Sequence, residues 1–147
     1  LNGIYLRIQR QAVLQDGDRL LLGRQVVRYR YGWHAAEADS QGTRPLGGPN
    51  PATAARVMVL TESGEIADQI LIRELLTIGR SGCNLSFPED DLLDDTHAQV
   101  QFDGRSSFMI IDLSGGGGVF LAVRGEAELS HGDVFQVGRQ RLMIERG

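Results

Sequence analysis

Residues 3–25 of this chain recur, without a gap, as residues 118–140. Gly3 corresponds to Gly118, Leu6 to Leu121, Leu14 to Leu129, Gly17-Asp18 to Gly132-Asp133, and Gly23-Arg24-Gln25 to Gly138-Arg139-Gln140. The spacing is constant at 115 residues, as from Gly17 to Gly132. Turn residues recurring by chance do not hold one offset over a whole segment. The head and the tail of the chain are therefore expected to be two copies of one structural element.

That element is β. Ile4, Leu6 and Ile8 alternate with Tyr5, Arg7 and Gln9, the period of a half-buried strand. Asp16-Gly17-Asp18 reads as a turn, because glycine tolerates positive φ and Asp can accept from nearby backbone amides. Leu20–Leu22 and Val26–Tyr31 follow as strands rich in β-forming residues. From residue 56 the same texture resumes, with strands at 57–60, 70–72, 75–78, 98–102, 108–112, 120–123, 134–137 and 141–144. Phe87-Pro88 to Asp95 reads as a loop, and Asp103-Gly104-Arg105 as a tight turn. Short, evenly spaced strands with glycine turns and no long helical period point to an all-β sandwich of antiparallel strands.

Between the two β-rich parts the composition changes. Residues 32–55 are dominated by Ala, Gly and small polar residues, with Pro45, Pro49 and Pro51 closely spaced, which reads as a linker. The expected organisation is a partial first unit at 1–31, the linker at 32–55 and a complete unit at 56–146. A partial sandwich leaves strand edges and an apolar face uncovered. The head is thus expected to pack on the second unit, to exchange strands with another copy, or to rely on upstream sequence; the Leu at position 1 favours the last.

The bulk properties exclude more than they assign. Hydrophobic residues make up 41% of 147, enough for a core, and no apolar run approaches the ~18–20 residues that cross a bilayer. The net charge of −4, with scattered basic residues, argues against a nucleic-acid partner, which needs a clustered basic face. Cys83 is the single cysteine, so no intrachain disulfide or cysteine-based zinc site can form. A cytoplasmic location is the default expectation.

One cluster of polar residues stands out, between Ile78 and Val119. It contains Ile78-Gly79-Arg80-Ser81-Gly82-Cys83-Asn84-Leu85, an acidic loop ending Asp94-Asp95-Thr96-His97, and the run Gly115–Gly118. The glycine run is no nucleotide cradle, since a strand pattern follows where a phosphate loop would open a helix. The acidic loop lacks the alternating ligand spacing of calcium loops, so no metal is assigned to it. No nucleophile accompanies His97, so no catalytic residue is assigned and no cofactor is called for.

The ordered set Thr77-Ile78-Gly79-Arg80, Asn84-Leu85, His97-Ala98-Gln99-Val100, Ile111-Asp112-Leu113, Gly118-Val119-Phe120 and Leu129-Ser130-His131-Gly132-Asp133 up to Gly138 resembles the forkhead-associated (FHA) domain family. The head resembles the last third of the same domain. The resemblance implies a β-sandwich with functional loops at one end, binding phosphothreonine peptides and having no enzymatic activity. It assigns Arg80 to the phosphate, Gly79, His97 and Gly118 to bracing the loops, and Ser81 and Thr96 as spare hydroxyl donors. At the three remaining family positions this chain departs: Asp94 replaces a donating Ser, Asp95 an Arg, and Gly117 an Asn that holds the peptide backbone.

Those departures fall where the chemistry is. A phosphate is nearly dianionic at neutral pH and offers only acceptors, whereas an ionised Asp cannot donate and adds like charge. The expected function is therefore a protein-interaction module of the FHA type that has lost phosphothreonine recognition and serves as a scaffold or accessory domain in signalling. An active phosphothreonine reader for kinase signalling is the alternative. Arg80 is expected to pair with Asp94 or Asp95, closing the vacated pocket.

Overall fold

In the computed structural model the described residues are 3–32, 55–124 and 130–145. The linker expected at 32–55 lies almost wholly outside them. Among the described residues thirteen strands form: β1 (Ile4–Arg7), β2 (Gln11–Val13), β3 (Arg19–Leu22), β4 (Gln25–Tyr31), β5 (Ala55–Leu60), β6 (Ile66–Ile72), β7 (Leu75–Gly79), β8 (Leu85–Ser86), β9 (Ala98–Phe102), β10 (Phe108–Asp112), β11 (Val119–Ala122), β12 (Val134–Val137) and β13 (Gln140–Met143). None of the described residues is helical, and no helix among them is long and apolar enough to cross a membrane. The fold is an all-β sandwich.

One sheet has eight strands in the order β13-β12-β1-β11-β3-β4-β5-β6, and the other has five, β2-β10-β9-β7-β8. Every pairing is antiparallel except β7 with β8. The inward-facing residues follow from strand alternation. Leu20, Leu22, Val27 and Val57 of the large sheet meet Ile78, Val100 and Ile110 of the small one, all wholly buried. The two layers touch through Tyr29 of β4, whose ring centroid lies 6.0 Å from that of Phe108 in β10.

The head segment is woven into this sandwich. Its β1 pairs with β11, its β3 with β11 on the other edge, and its β4 with β5. Between β1 and β2 the chain crosses from the large sheet to the small one. The Ile8 amide donates to Val119 O at 3.0 Å and the Asp112 amide to Arg10 O at 2.8 Å, with Arg10 held at φ 75°. β2 then adds to β10 as an edge strand.

The alternation read in β1 marks one of two covered faces. Leu6 lies opposite Leu121, which packs on the core, and Ile8 joins the core itself. Ile4 stays 49% exposed, while the intervening Tyr5 is buried at 4%. Tyr5 shares the outer face with Phe120, and the Arg141 guanidinium sits 4.8 Å above the Phe120 ring. A cation over an aromatic face covers that side, which alternation alone could not show.

The matching segments of head and tail make matching bonds. In the head, the Gln15 amide donates to the Asp18 carboxylate, the Asp18 amide to Gln15 O, and the Tyr29 amide to Asp18 O. In the tail, the Ser130 amide donates to the Asp133 carboxylate, the Asp133 amide to Ser130 O, and the Ile144 amide to Asp133 O. Gly23 and Gly138 turn the two hairpins at φ 56° and 59°. Burial separates them: β3 and β4 lie in the middle of the large sheet, whereas β12 and β13 form its edge and β13 is exposed throughout.

Candidate functional site

The cluster forms at the end of the sandwich where β7 leads into the turn at 80–84 and β10 leads into the glycine loop. Gly79 has a steric reason to be glycine. A Cβ there would fall 2.1 Å from Asp95 O, well inside contact distance. With that room kept, the turn and the acidic loop lie against each other. The Arg80 amide donates to Asp94 O at 2.9 Å, the Ser81 amide to Asp95 O at 3.3 Å, and the His97 amide to Ile78 O at 2.9 Å.

His97 joins the acidic loop to the glycine loop from a fully buried position. Its Nδ1 accepts from the Asp94 amide at 3.1 Å, which leaves the proton on Nε2 to donate to Gly118 O at 2.8 Å. A neutral ring in one tautomer satisfies both bonds. Gly117 lies against this ring, since a Cβ there would be 3.0 Å from His97 Cε1. Gly118 adopts φ 83° and abuts Arg7, whose guanidinium also donates to Gly116 O at 3.3 Å. Within the glycine loop, the Ser114 hydroxyl donates to Asp112 and accepts from the Gly118 amide.

The two aspartates take local donors. Asp94 Oδ2 accepts from the Gly115 amide at 2.7 Å, and Asp95 Oδ1 accepts from the Ser81 hydroxyl at 3.1 Å. The Ser81 hydroxyl is thereby engaged, while Thr96 is exposed. Arg80 does not pair with either carboxylate: it is exposed, and its Nε donates to Pro88 O at 3.4 Å. The expected closure of the pocket by Arg80 is thus corrected. Asp94 takes a backbone amide and Asp95 a hydroxyl, and the exposed Arg80 guanidinium reaches Pro88 O instead. Cys83 fills the space beneath, its thiol donating to Asp95 O at 3.2 Å.

Asp90 and Asp91 of the acidic loop are docked on the head. Asp90 is 3% exposed and accepts from the Arg24 amide, Gln25 Nε2 and the Leu92 amide at 2.8–3.0 Å. The Arg24 guanidinium reaches Asp91 at 2.6 Å, and that bond holds the Asp91 carboxyl below its ordinary range. Three residues absent from the sequence-based set therefore bear on the site: Arg7, Arg24 and Asp90. The signal for two of them was available. Gly23-Arg24-Gln25 is the longest run of identity between head and tail, and it is the segment that docks on Asp90.

Chemically, the end of the sandwich presents the exposed Arg80 guanidinium, paired with neither Asp94 nor Asp95, beside a dense negative field. Among the described residues no group of three or more His, Cys, Asp or Glu side chains is placed to hold a metal ion. Compared with known proteins, residues 76–138 match the model of the FHA domain, a span from β7 to just past β12 that includes both loops. No curated protein and no solved structure matches the chain. The order of strands and loops and this match agree: the chain carries an FHA domain, matched over residues 76–138.

Proposed function

We propose that this protein is a non-enzymatic interaction module whose FHA domain binds a protein partner without reading phosphothreonine, in a scaffold or accessory role in signalling. FHA domains in general engage phosphopeptides. The observation that carries the narrower reading is the pair Asp94 and Asp95 at the loop tip, with the Ser81 hydroxyl already donating to Asp95. A phosphate brought to Arg80 meets like charge: each such contact at ~4 Å costs about 1 kcal/mol in water and about 4 at an effective dielectric near 20. A charge-assisted bond from Arg80 returns only about 1.5–3 kcal/mol. Gly117 supplies no side-chain amide to clamp the peptide backbone.

One observation favours the second reading, an active phosphothreonine reader. Arg80 is exposed and paired with neither aspartate, so its guanidinium is available. Titration of the full chain with a degenerate phosphothreonine peptide library, beside Arg80→Ala, separates the two. The expected result is no saturable, phosphate-dependent binding in either protein. Saturable binding that vanishes with Arg80→Ala would establish the reader instead.

A further inference from the structure

We propose that the tail hairpin β12–β13 is a second occupant of the slot that β3–β4 fill between β11 and β5, and that head and tail exchange there within one chain. Three observations converge on this. The first is register: β3 and β4 pair Leu20 with Val27 and Leu22 with Gln25, and β12 and β13 pair Phe135 with Leu142 and Val137 with Gln140, the same ladder 115 residues on. The second is the inward face. Leu20, Leu22 and Val27 are wholly buried in the slot, and their counterparts Phe135, Val137 and Leu142 are apolar too, yet Val137 and Leu142 are 41% and 43% exposed. Side chains suited to a core are therefore held at a sheet edge.

The third observation is the turn. Gly23-Arg24-Gln25 docks on the buried Asp90 through an amide, a carboxamide and a glycine with no room for a side chain, a Cβ there falling 2.8 Å from Asp90 Oδ2. The tail repeats this as Gly138-Arg139-Gln140, and nothing lies within 4 Å of the position a Gly138 Cβ would take. A turn carrying every group needed to bind Asp90 is thus displayed without that partner. Reach is no obstacle. The slot borders β11, and eleven residues separate Ala122 from Val134, which at ~3.3 Å each suffice to turn back antiparallel along the same strand.

The exchange changes which turn meets the acidic loop, while Arg7, in β1 outside the slot, stays against the glycine loop at Gly116 and Gly118. Docking of Arg139 in place of Arg24 leaves the charge beside Asp90 and Asp91 unchanged. The two arrangements therefore differ in which hairpin is free to meet other molecules.

A disulfide trap in the full chain tests this without unfolding it. With the head docked, β12 and β11 are separated by β1, two strand spacings or about 9.6 Å, beyond the ~6.8 Å that a disulfide tolerates between Cα atoms. With the tail docked, Phe135 takes the place of Leu20 opposite Leu121. In a Cys83→Ser background, the pair Leu121→Cys with Phe135→Cys is expected to oxidise to an intrachain disulfide. Val27→Asp, which puts a carboxylate in the slot from the head side, is expected to speed closure about tenfold or more, and Leu142→Asp to slow it comparably. The control pair Leu20→Cys with Leu121→Cys, directly opposed already, closes in the wild-type arrangement. The proposal is overturned if the control closes and the Leu121→Cys/Phe135→Cys pair stays reduced, if that pair links only between chains, or if Val27→Asp leaves its rate unchanged.

Discussion

Hairpins β3–β4 and β12–β13 share a turn, a ladder and a set of backbone hydrogen bonds, and one of them is core while the other is rim. Local structure is therefore not what distinguishes them. Each hairpin follows a turn that closes on its own Asp, Asp18 or Asp133, with the same three bonds. What differs is coverage. The head copy lies between β11 and β5 with the small sheet beneath it, and fully burying a Leu or Val there is worth about 1.5–3 kcal/mol per side chain. The tail copy lies beyond β1, and its hold includes Arg141 over Phe120 rather than a buried inner face. A short strand pair can thus take its shape from its own turn while taking its stability from its surroundings.

The largest test of that contrast removes one inner side chain from each copy. Leu22→Ala, made in a chain whose tail is barred from the slot by Leu142→Asp, is expected to cost about 2–5 kcal/mol in urea denaturation, the range for a Leu truncated in a packed core. Val137→Ala at the equivalent tail position is expected to stay within about 0.5 kcal/mol, as for surface changes. Equal costs would mean that the two hairpins are equally covered in solution, and the distinction between core and rim would fail.

The turns give a finer version of the same test. Gly23 and Gly138 both sit at positive φ, so replacing either with Ala carries a common backbone cost of about 1–2 kcal/mol. Gly23 alone also faces Asp90, which a new methyl would press away from its three donors. Gly23→Ala is expected to exceed Gly138→Ala by about 1–3 kcal/mol, the penalty for a buried polar group left short of partners. If the two substitutions cost the same, the docking of the head turn on Asp90 contributes nothing to the fold.

The strands and turns of both hairpins were legible in the sequence, because period-two apolar patterning and Gly-Asp turns are local signals. Which copy occupies the middle of the sheet was not. Leu20, Leu22 and Val27 read no differently from Phe135, Val137 and Leu142, since both sets satisfy one inward face. β2 and β8 escaped detection for another reason: three and two residues carry no period, and both form by adding to strands already in place. At the loops, Gly79, His97 and Gly118, far apart in sequence, lie together in the structure. The partner of Arg80 was missed because the carboxylates expected to pair with it, Asp94 and Asp95, take an amide and a hydroxyl that no charge-counting argument includes. Arg7 and Arg24 were missed because they arrive from a segment more than sixty residues away.

The smallest expected effect separates the two arginines of the repeat by pH. Arg24 holds the Asp91 carboxyl below its ordinary 3.8, first through their hydrogen bond and then through charge, whereas Arg139 sits at an exposed turn away from the acidic loop. A carboxyl with a lowered folded-state pKa stabilises the fold above its unfolded value of about 4, and the contribution disappears as pH falls through the folded value. Arg24→Ala is therefore expected to lower the melting temperature slightly at neutral pH and to flatten its decline below pH ~4, and Arg139→Ala to change neither. Asp103, held low by the amides of Arg105, Ser107 and Ser106, remains in both variants and sets the residual acid dependence. Because Arg24 and Asp91 are both exposed, ~1 M salt should shrink the difference between wild type and Arg24→Ala. A difference that survives that salt would point to Arg24 acting through the packing of its chain on the acidic loop. An acid limb altered by Arg139→Ala instead would place the tail's turn, and not the head's, beside Asp91.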